Sequence, residues 1–145
     1  MLWYCQYHTI LKSLENHYIP MDIQLLTRKS ATCSDLLSCL YNLKPIDIEV
    51  LTAVAKKENS TLDQIAQTVE RDRSSTHRCL AKLITAGLVH KESKGLKIGG
   101  YYHVYSMVEP TRIKQHAIQK VKEITESLQT LVNNFDSDLK NRIEK

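Results

Sequence analysis

The residue pattern from Ser60 to Tyr105 restricts the fold of this chain more than any other feature. A helical apolar pattern, a short break, a second helical pattern and two alternating segments around a glycine-containing loop follow one another there. Helical spacing indicates amphipathic helices, and strict alternation indicates half-buried strands. We therefore expect two short helices followed directly by a β-hairpin.

The first helix of the pair is predicted over 61–69, with Ser60 or Thr61 as its N-cap. Small Ala66 on its inward face would let the next helix approach closely, although alanine is equally common as ordinary helix filler.

The second helix of the pair, predicted over 72–87, has an apolar face and a polar, basic face. Asp72 can cap its amino end, and Gly87 suits a left-handed carboxyl cap. A helix built this way can bury one side and offer the other to the major groove of DNA. The candidate DNA-contacting residues on it are Arg73, Ser74, Ser75, His77, Arg78 and Lys82.

These candidates differ in what they can contact on DNA. Arg78 can pair with guanine through two hydrogen bonds, the two serines can donate or accept, and His77 can donate. Arg73 and Lys82 are better suited to phosphates. Each is also compatible with an ordinary solvated helix surface, and Arg78 is the residue that we most expect to read a base.

Two strands, 88–91 and 101–105, are predicted to form a hairpin with the loop 92–100 as its wing. The loop combines glycines with Lys94 and Lys97, which suits contact with the DNA backbone or minor groove. No helix follows these glycines, and no GxxxxGK[ST] motif is present, so a nucleotide-phosphate loop is not indicated. The predicted fold is mostly α with a small β-hairpin wing, an α+β winged helix-turn-helix.

Basic charge is concentrated in this predicted DNA-binding region. The 145-residue chain has a net charge of +4, whereas 71–105 hold seven Lys or Arg residues against two acids. Such a surplus neutralises phosphates, although it also fits a merely solvated basic face. Together with the helix pattern, it favours double-stranded DNA as the partner.

A long helix is predicted from Pro110 to about Asn133 or beyond. Its apolar residues recur in steps of three and four with charged residues beside them, which is typical of a helix that pairs with a second helix. This apolar stripe consists of Ile113, Ala117, Val121, Ile124, Leu128, Leu131 and Phe135. We expect it to form a homodimer that reads half-sites about one helical turn apart. The alternative is that the helix folds back on its own domain.

These patterns predict three regions: an N-terminal extension at 1–30, a winged DNA-binding domain at 31–108 and a dimerisation helix at 109–145. Residues 1–20 fit either an added helix or a flexible leader before Met21. The sequence contains neither an apolar run of ~18–20 residues nor a secretory signal, so we expect a cytoplasmic protein without membrane contact.

Cofactors and catalysis have little support in the sequence. Four cysteines without paired close spacings predict free thiols and no metal site. No close Ser/His/Asp, Cys/His or paired-carboxylate grouping falls on the predicted loops, so we expect a protein that is not an enzyme and has no cofactor. Cys79 lies near Arg78 and Lys82, whose charges could lower its pKa and make DNA binding redox-sensitive. Packing in the core is the commoner role for such a cysteine.

Four segments resemble winged helix-turn-helix regulators of the MarR and TrmB type. They are LDQIA at 62–66, DRSSTHRCL at 72–80, LITAGLV at 83–89, and GGYYHVY at 99–105 before Glu109-Pro110. The last is most similar to small archaeal TrmB-type regulators, and the likeness covers about residues 45–135. No large C-terminal sugar-binding domain follows, so the resemblance does not carry effector binding of that kind to this chain.

The resemblance implies a sequence-specific, dimeric regulator of transcription. Many winged-helix families share this motif, and some of them bind protein rather than DNA. Two alternatives therefore stand beside the regulator: a winged-helix module that binds protein within the transcription machinery, and a thiol-based redox regulator.

Overall fold

The computed structural model describes residues 23–144. The helix or leader expected at 1–20 lies outside them. The chain divides into two compact units, the first ending at Asn42 and the second beginning at Leu43. The region boundaries expected near 30 and 108 stay predictions.

The first unit contains α1, Ile23–Leu26, and α2, Cys33–Tyr41. Thr32 caps α2, because its hydroxyl accepts a hydrogen bond from the Asp35 backbone N–H at 3.3 Å. The Asp35 carboxylate accepts in return from the Thr32 backbone N–H at 2.7 Å. The Thr32 hydroxyl also donates to this carboxylate at 2.8 Å. The hydrogen bond from the Thr32 backbone and then the one from its hydroxyl hold the pKa of Asp35 below its usual value.

The second unit opens with α3, Pro45–Lys56, α4, Leu62–Thr68, and α5, Arg73–Thr85. The two predicted helices of the helix-turn-helix are thereby confirmed as α4 and α5. Thr61 caps α4 and exchanges hydrogen bonds with Gln64, and Asp72 caps α5 by accepting from the Ser75 backbone N–H at 2.8 Å. The sequence sets where α4 and α5 begin, because a capping side chain accepts hydrogen bonds from N–H groups of the first turn that have no partner within the helix.

The turn between α4 and α5 places Glu70 in the left-handed region, with φ of 52°. The Arg71 N–H donates to the Ala66 carbonyl oxygen at 3.0 Å, in a Schellman arrangement that ends α4. The same arrangement ends α5 at Gly87, whose φ is 74°. The two helices therefore end in the same way, once with glycine at the left-handed position and once with glutamate.

The wing is an antiparallel hairpin of β1, Val89–Gly95, and β2, Tyr101–Met107. β1 is longer than the predicted strand, so Lys94 lies on it and the connecting loop is 96–100 rather than 92–100. Because residues 92–94 are all polar, their sequence has no alternation that would mark a strand, and pairing with β2 is what extends β1.

A short bridge joins the hairpin to the helices. The Ser60 N–H donates to the Tyr105 carbonyl oxygen at 3.2 Å, and the Tyr105 N–H donates back to Ser60 at 2.8 Å. The start of α4 is therefore fixed beside β2. The largest fully buried side chains come from α3, α4, α5 and the segment before β1: Val50, Val54, Ile65, Thr76, Leu80, Leu83 and Leu88.

The chain continues as α6, Pro110–Asn133, and α7, Phe135–Ile143, with Asn134 between them. The helix predicted from Pro110 is confirmed with the same limits. Within 23–144, no helix is both long enough and apolar enough to cross a lipid bilayer.

Candidate nucleic-acid interface

Helix α5, the second helix of the helix-turn-helix, separates a buried face from an exposed one. The inward residues are those expected: Thr76, Cys79, Leu80 and Leu83 are all buried. The exposed residues are Arg73, Ser74, His77, Arg78, Ala81 and Thr85, and Ser75 is half-buried. The predicted base-reading residues therefore share one surface of the helix. Ala81 and Thr85 extend that surface. They follow Arg78 in steps of three and then four residues, and this spacing was the signal that sequence reasoning missed.

Arg78 is held against its own helix. Its Nη2 donates a hydrogen bond to the Ser75 hydroxyl oxygen at 3.2 Å, one turn earlier. This contact uses one of the five N–H donors of the guanidinium and leaves the others for a ligand. Ser75 consequently supports Arg78 in addition to presenting its own hydroxyl.

Arg73, at the first position of α5, forms an ion pair with Asp63 of α4. Both side chains are exposed, and an exposed pair of this kind stabilises a protein by only about 0–1 kcal/mol. A phosphate could replace Asp63 as the partner of Arg73 at little cost in stability.

Lys82 occupies a different position from the other basic residues. Its Nζ lies 2.8 Å from the Asp47 carboxylate, which is 3% exposed, and its own side chain is only partly exposed. The Lys44 backbone N–H also donates to this carboxylate at 2.8 Å. Burial would raise the pKa of Asp47, but the hydrogen bonds from Lys82, Lys44 and Cys79 hold it below its usual value. The pair joins the start of α3 to α5.

Cys79 is 7% exposed. The pKa of the thiol is raised to about 11. Burial is the largest cause, and the hydrogen bond to the Asp47 carboxylate and the negative charge of that carboxylate add to it. This shift is opposite to the lowering that the neighbouring basic residues suggested in the sequence. Reactive thiols need the thiolate near neutral pH, so the packing role of Cys79 is favoured over the redox one.

An open groove of about 710 Å³ separates α5 from the wing. Arg73 and His77 line it from α5, and Lys91, Tyr101 and His103 line it from the hairpin. Lys91, Tyr101 and His103 were not among the predicted contacts, because only the hairpin register places them beside α5.

The two predicted wing lysines occupy different positions. Lys94 is half-buried and lies opposite Tyr102 in the hairpin. Lys97 is exposed in the turn that joins the strands. Among residues 23–144 there is no group of three or more His, Cys, Asp or Glu side chains arranged to hold a metal ion.

The apolar stripe on the C-terminal helices divides into a covered part and an exposed part. Ile113 and Ala117 are buried within the single chain, and Ile124 is half-buried. The exposed members are Val121, Leu128, Leu131 and Phe135. Only this second group is available to a partner.

Comparison with known proteins identifies the family. Residues 37–111, which include the whole helix-turn-helix and the wing, match the family described as "Sugar-specific transcriptional regulator TrmB". The chain belongs to the TrmB family. The TrmB resemblance inferred from the sequence is thus confirmed, and the TrmB family and the winged fold are those of DNA-binding transcriptional regulators.

Two relatives of this TrmB-family chain come from Methanocaldococcus jannaschii. The uncharacterized protein MJ1503 is 34% identical over 92 residues, which are 63% of this chain and 69% of that protein. The uncharacterized protein MJ1082 is 31% identical over 85 residues, 59% of this chain and 70% of that protein.

A solved structure of a possible transcriptional regulator from Methanosarcina mazei has a similar fold, with a TM-score of 0.64 and 18% identity. The similarity covers 74% of this chain and 93% of that one. The ST1889 protein of Sulfolobus tokodaii aligns with a TM-score of 0.53 and 22% identity, over 66% and 93% of the two chains.

Proposed function

We propose that this TrmB-family chain is a homodimeric regulator that reads a specific DNA sequence, with α5 in the major groove and the wing on the backbone or in the minor groove. The exposed polar face of α5 is the observation that carries the proposal. A recognition helix needs an outward face of small, polar and basic residues over a buried apolar face, and α5 has both.

Arg78 is the central residue of the proposed base-reading set, with Ser74, Ser75 and His77 beside it. The Arg78 guanidinium donates one hydrogen bond to Ser75. It retains a pair of N–H donors for hydrogen bonds to O6 and N7 of guanine. Arg73, Lys94 and Lys97 are proposed to hold phosphates. Lys82 was expected to hold a phosphate as well; because it is paired with buried Asp47, we assign it to the placement of α5 instead.

The homodimer is proposed from the exposed half of the apolar stripe. Leu131 and Phe135 are 63% and 60% exposed, although both recur at the spacing of a helix-pairing stripe. A second copy of the chain would cover this surface by pairing the same face with itself. Two recognition helices related by a two-fold axis would then read a pseudo-palindromic site.

The proposal is tested by selecting DNA from a random-sequence library in the presence of bulk competitor DNA, at two salt concentrations. The proteins compared are the wild type, Arg78→Ala and the matched control Arg142→Ala, which removes the same charge from exposed α7. We expect the wild type and the control to select one palindromic motif, and Arg78→Ala to lose preference at defined positions.

Salt-sensitive binding without a motif, or no binding, would reject sequence-specific regulation. Either result would favour the module that binds protein within the transcription machinery, since phosphate contacts alone carry no sequence information.

A further inference from the structure

The tip of the wing presents an apolar side chain within a basic surface. Ile98 is 96% exposed, and Tyr101, where β2 begins, is 74% exposed. Lys97 precedes Ile98 in the turn, and Lys94 lies on the adjoining strand. Single exposed apolar residues are common on protein surfaces, but the basic setting of this one suits an anionic partner.

The backbone of the tip holds Ile98 in a defined place. The Gly99 N–H donates to the Leu96 carbonyl oxygen at 3.1 Å, and the Leu96 N–H donates to the Gly100 carbonyl oxygen at 2.9 Å. These two hydrogen bonds close the turn around Lys97 and Ile98. The position of the isoleucine is therefore set before any partner binds, which lowers the entropy lost on binding.

The tip is also narrow. Gly99 and Gly100 have φ of 90° and 88°, a conformation that other residues rarely adopt, and a Cβ at either would have no neighbour within 4 Å. Of the residues 97–100, only Lys97 and Ile98 carry side chains. A tip of this form can enter a groove that a broader loop could not.

We propose that Ile98 is a minor-groove wedge, which inserts between adjacent base pairs and bends the duplex. The proposal rests on the proposed function, because α5 must dock the domain before the wing can reach the groove. Isoleucine is among the side chains that partly unstack base steps from the minor groove. Unstacking is easiest at pyrimidine–purine steps, so the wedge would favour such a step without any hydrogen bond to a base.

The test uses the duplex that the wild type selects from the random library. Donor and acceptor dyes at its ends report bending, and 2-aminopurine, placed in turn at each position beside the half-sites, reports unstacking. The proteins compared are the wild type, Ile98→Ala, the conservative variant Ile98→Leu and Lys97→Ala. Ile98 lies outside the core, and a thermal unfolding curve for each variant confirms that it folds.

We expect the wild type to bend the duplex by roughly 20–90° and to raise 2-aminopurine fluorescence at one step in each half. Ile98→Ala should keep the motif positions that depend on Arg78, and should lose both signals together with any preference for a pyrimidine–purine step. Ile98→Leu should keep all three. Lys97→Ala should bind more weakly and with a smaller salt dependence, but with the bend intact.

A straight, stacked duplex with the wild type, or equal bending by Ile98→Ala, would overturn the wedge. Both outcomes leave the proposed function standing, because motif selection and its dependence on Arg78 are measured separately. If the wild type selects no motif, the proposed function fails and the wedge fails with it.

Discussion

Asp47 is a buried carboxylate whose partners come from two helices, Lys44 at the start of α3 and Lys82 on α5. An ion pair of this kind is costly to break on one side, because the remaining charge is left without compensation in a poorly solvated place. Asp47 therefore fixes the recognition helix against the domain, and its contribution depends on its ionisation.

We predict that Asp47→Asn lowers the free energy of unfolding by about 1–3 kcal/mol at pH 7. The pKa of Asp47 is lowered in the folded state, so the ionised carboxylate stabilises the fold above its unfolded pKa of about 3.9. That contribution is lost as the pH falls through the lower folded pKa. Urea unfolding at pH 7 and at pH 3 measures the difference between the two proteins, which should shrink at pH 3.

The control for this series is Asp136→Asn, which removes a carboxylate from the exposed surface of α7. It should change stability by less than about 0.5 kcal/mol at either pH. If Asp47→Asn lowers the free energy of unfolding by the same amount at pH 7 and at pH 3, the charge of the carboxylate does not stabilise the fold.

Sequence reasoning found the residues that act locally and missed those that act across the fold. Thr61 and Asp72 were predicted as caps because a cap needs only a polar side chain a few residues before an apolar pattern. For Cys79, the less favoured alternative of a lowered pKa was wrong. Its sequence neighbours are basic, but burial and the spatial neighbour Asp47 raise the pKa. The ion pair between Asp47 and Lys82 could not be predicted, because residues so far apart in sequence produce no periodic pattern.

At the scale of elements, the turn of the helix-turn-helix holds a strained residue. Glu70 occupies a left-handed position that costs a residue with a side chain roughly 1–2 kcal/mol, and that glycine adopts freely. The corresponding position after α5 is Gly87, where an added Cβ would be only in ordinary contact with His116, 3.7 Å away. Glycine should therefore stabilise the fold at position 70, whereas replacing the glycine at position 87 should destabilise it.

We predict that Glu70→Gly raises the free energy of unfolding by about 0.5–1 kcal/mol, because relief of the backbone strain exceeds the extra entropy of glycine in the unfolded chain. Gly87→Ala should lower it by about 1 kcal/mol. Chemical denaturation measures both changes. Glu70→Ala removes the charge but keeps the strain, and should stay near the wild type; an equal gain from Glu70→Ala would assign the effect to charge instead.

The elements were predictable to the degree that each carries its own pattern. Both ends of α5 were predicted to within two residues, because its caps and its apolar face all lie in one continuous stretch of sequence. β1 was predicted too short, because residues 92–94 become a strand only through their pairing with β2. The bridge between Ser60 and Tyr105 was not foreseen for the same reason.

At the scale of the whole molecule, the proposed homodimer rests on the apolar stripe. Its start was expected to take part in dimerisation, but Ile113 and Ala117 are buried within the single chain, which accords in part with the alternative of a helix folded back on its domain. The sequence could not distinguish a helix that pairs with a second copy from one that packs on its own domain, because both need apolar residues at the same helical spacing. The exposed residues farther along α6 and α7 carry the proposed interface.

We predict that Leu128→Glu and Leu131→Glu each raise the dimer dissociation constant at least tenfold, about 1.4 kcal/mol, because a carboxylate would be buried in an apolar interface. Sedimentation equilibrium over a range of protein concentrations measures this constant. Gln129→Glu adds the same charge to an exposed position between them and outside the stripe, and should leave it unchanged. A monomeric wild type, or equal effects from all three variants, would contradict the interface.

The measurement that tests base reading by α5 most directly is a double-mutant cycle between Arg78→Ala and the guanines of the selected DNA site. Replacing each guanine in turn by 7-deazaguanine removes the N7 acceptor and leaves the base pair intact. We predict that one replacement in each half-site weakens wild-type binding roughly tenfold and leaves binding by Arg78→Ala almost unchanged. Equal losses in both proteins, or no loss at any guanine, would contradict the assignment of Arg78 as the residue that reads the sequence.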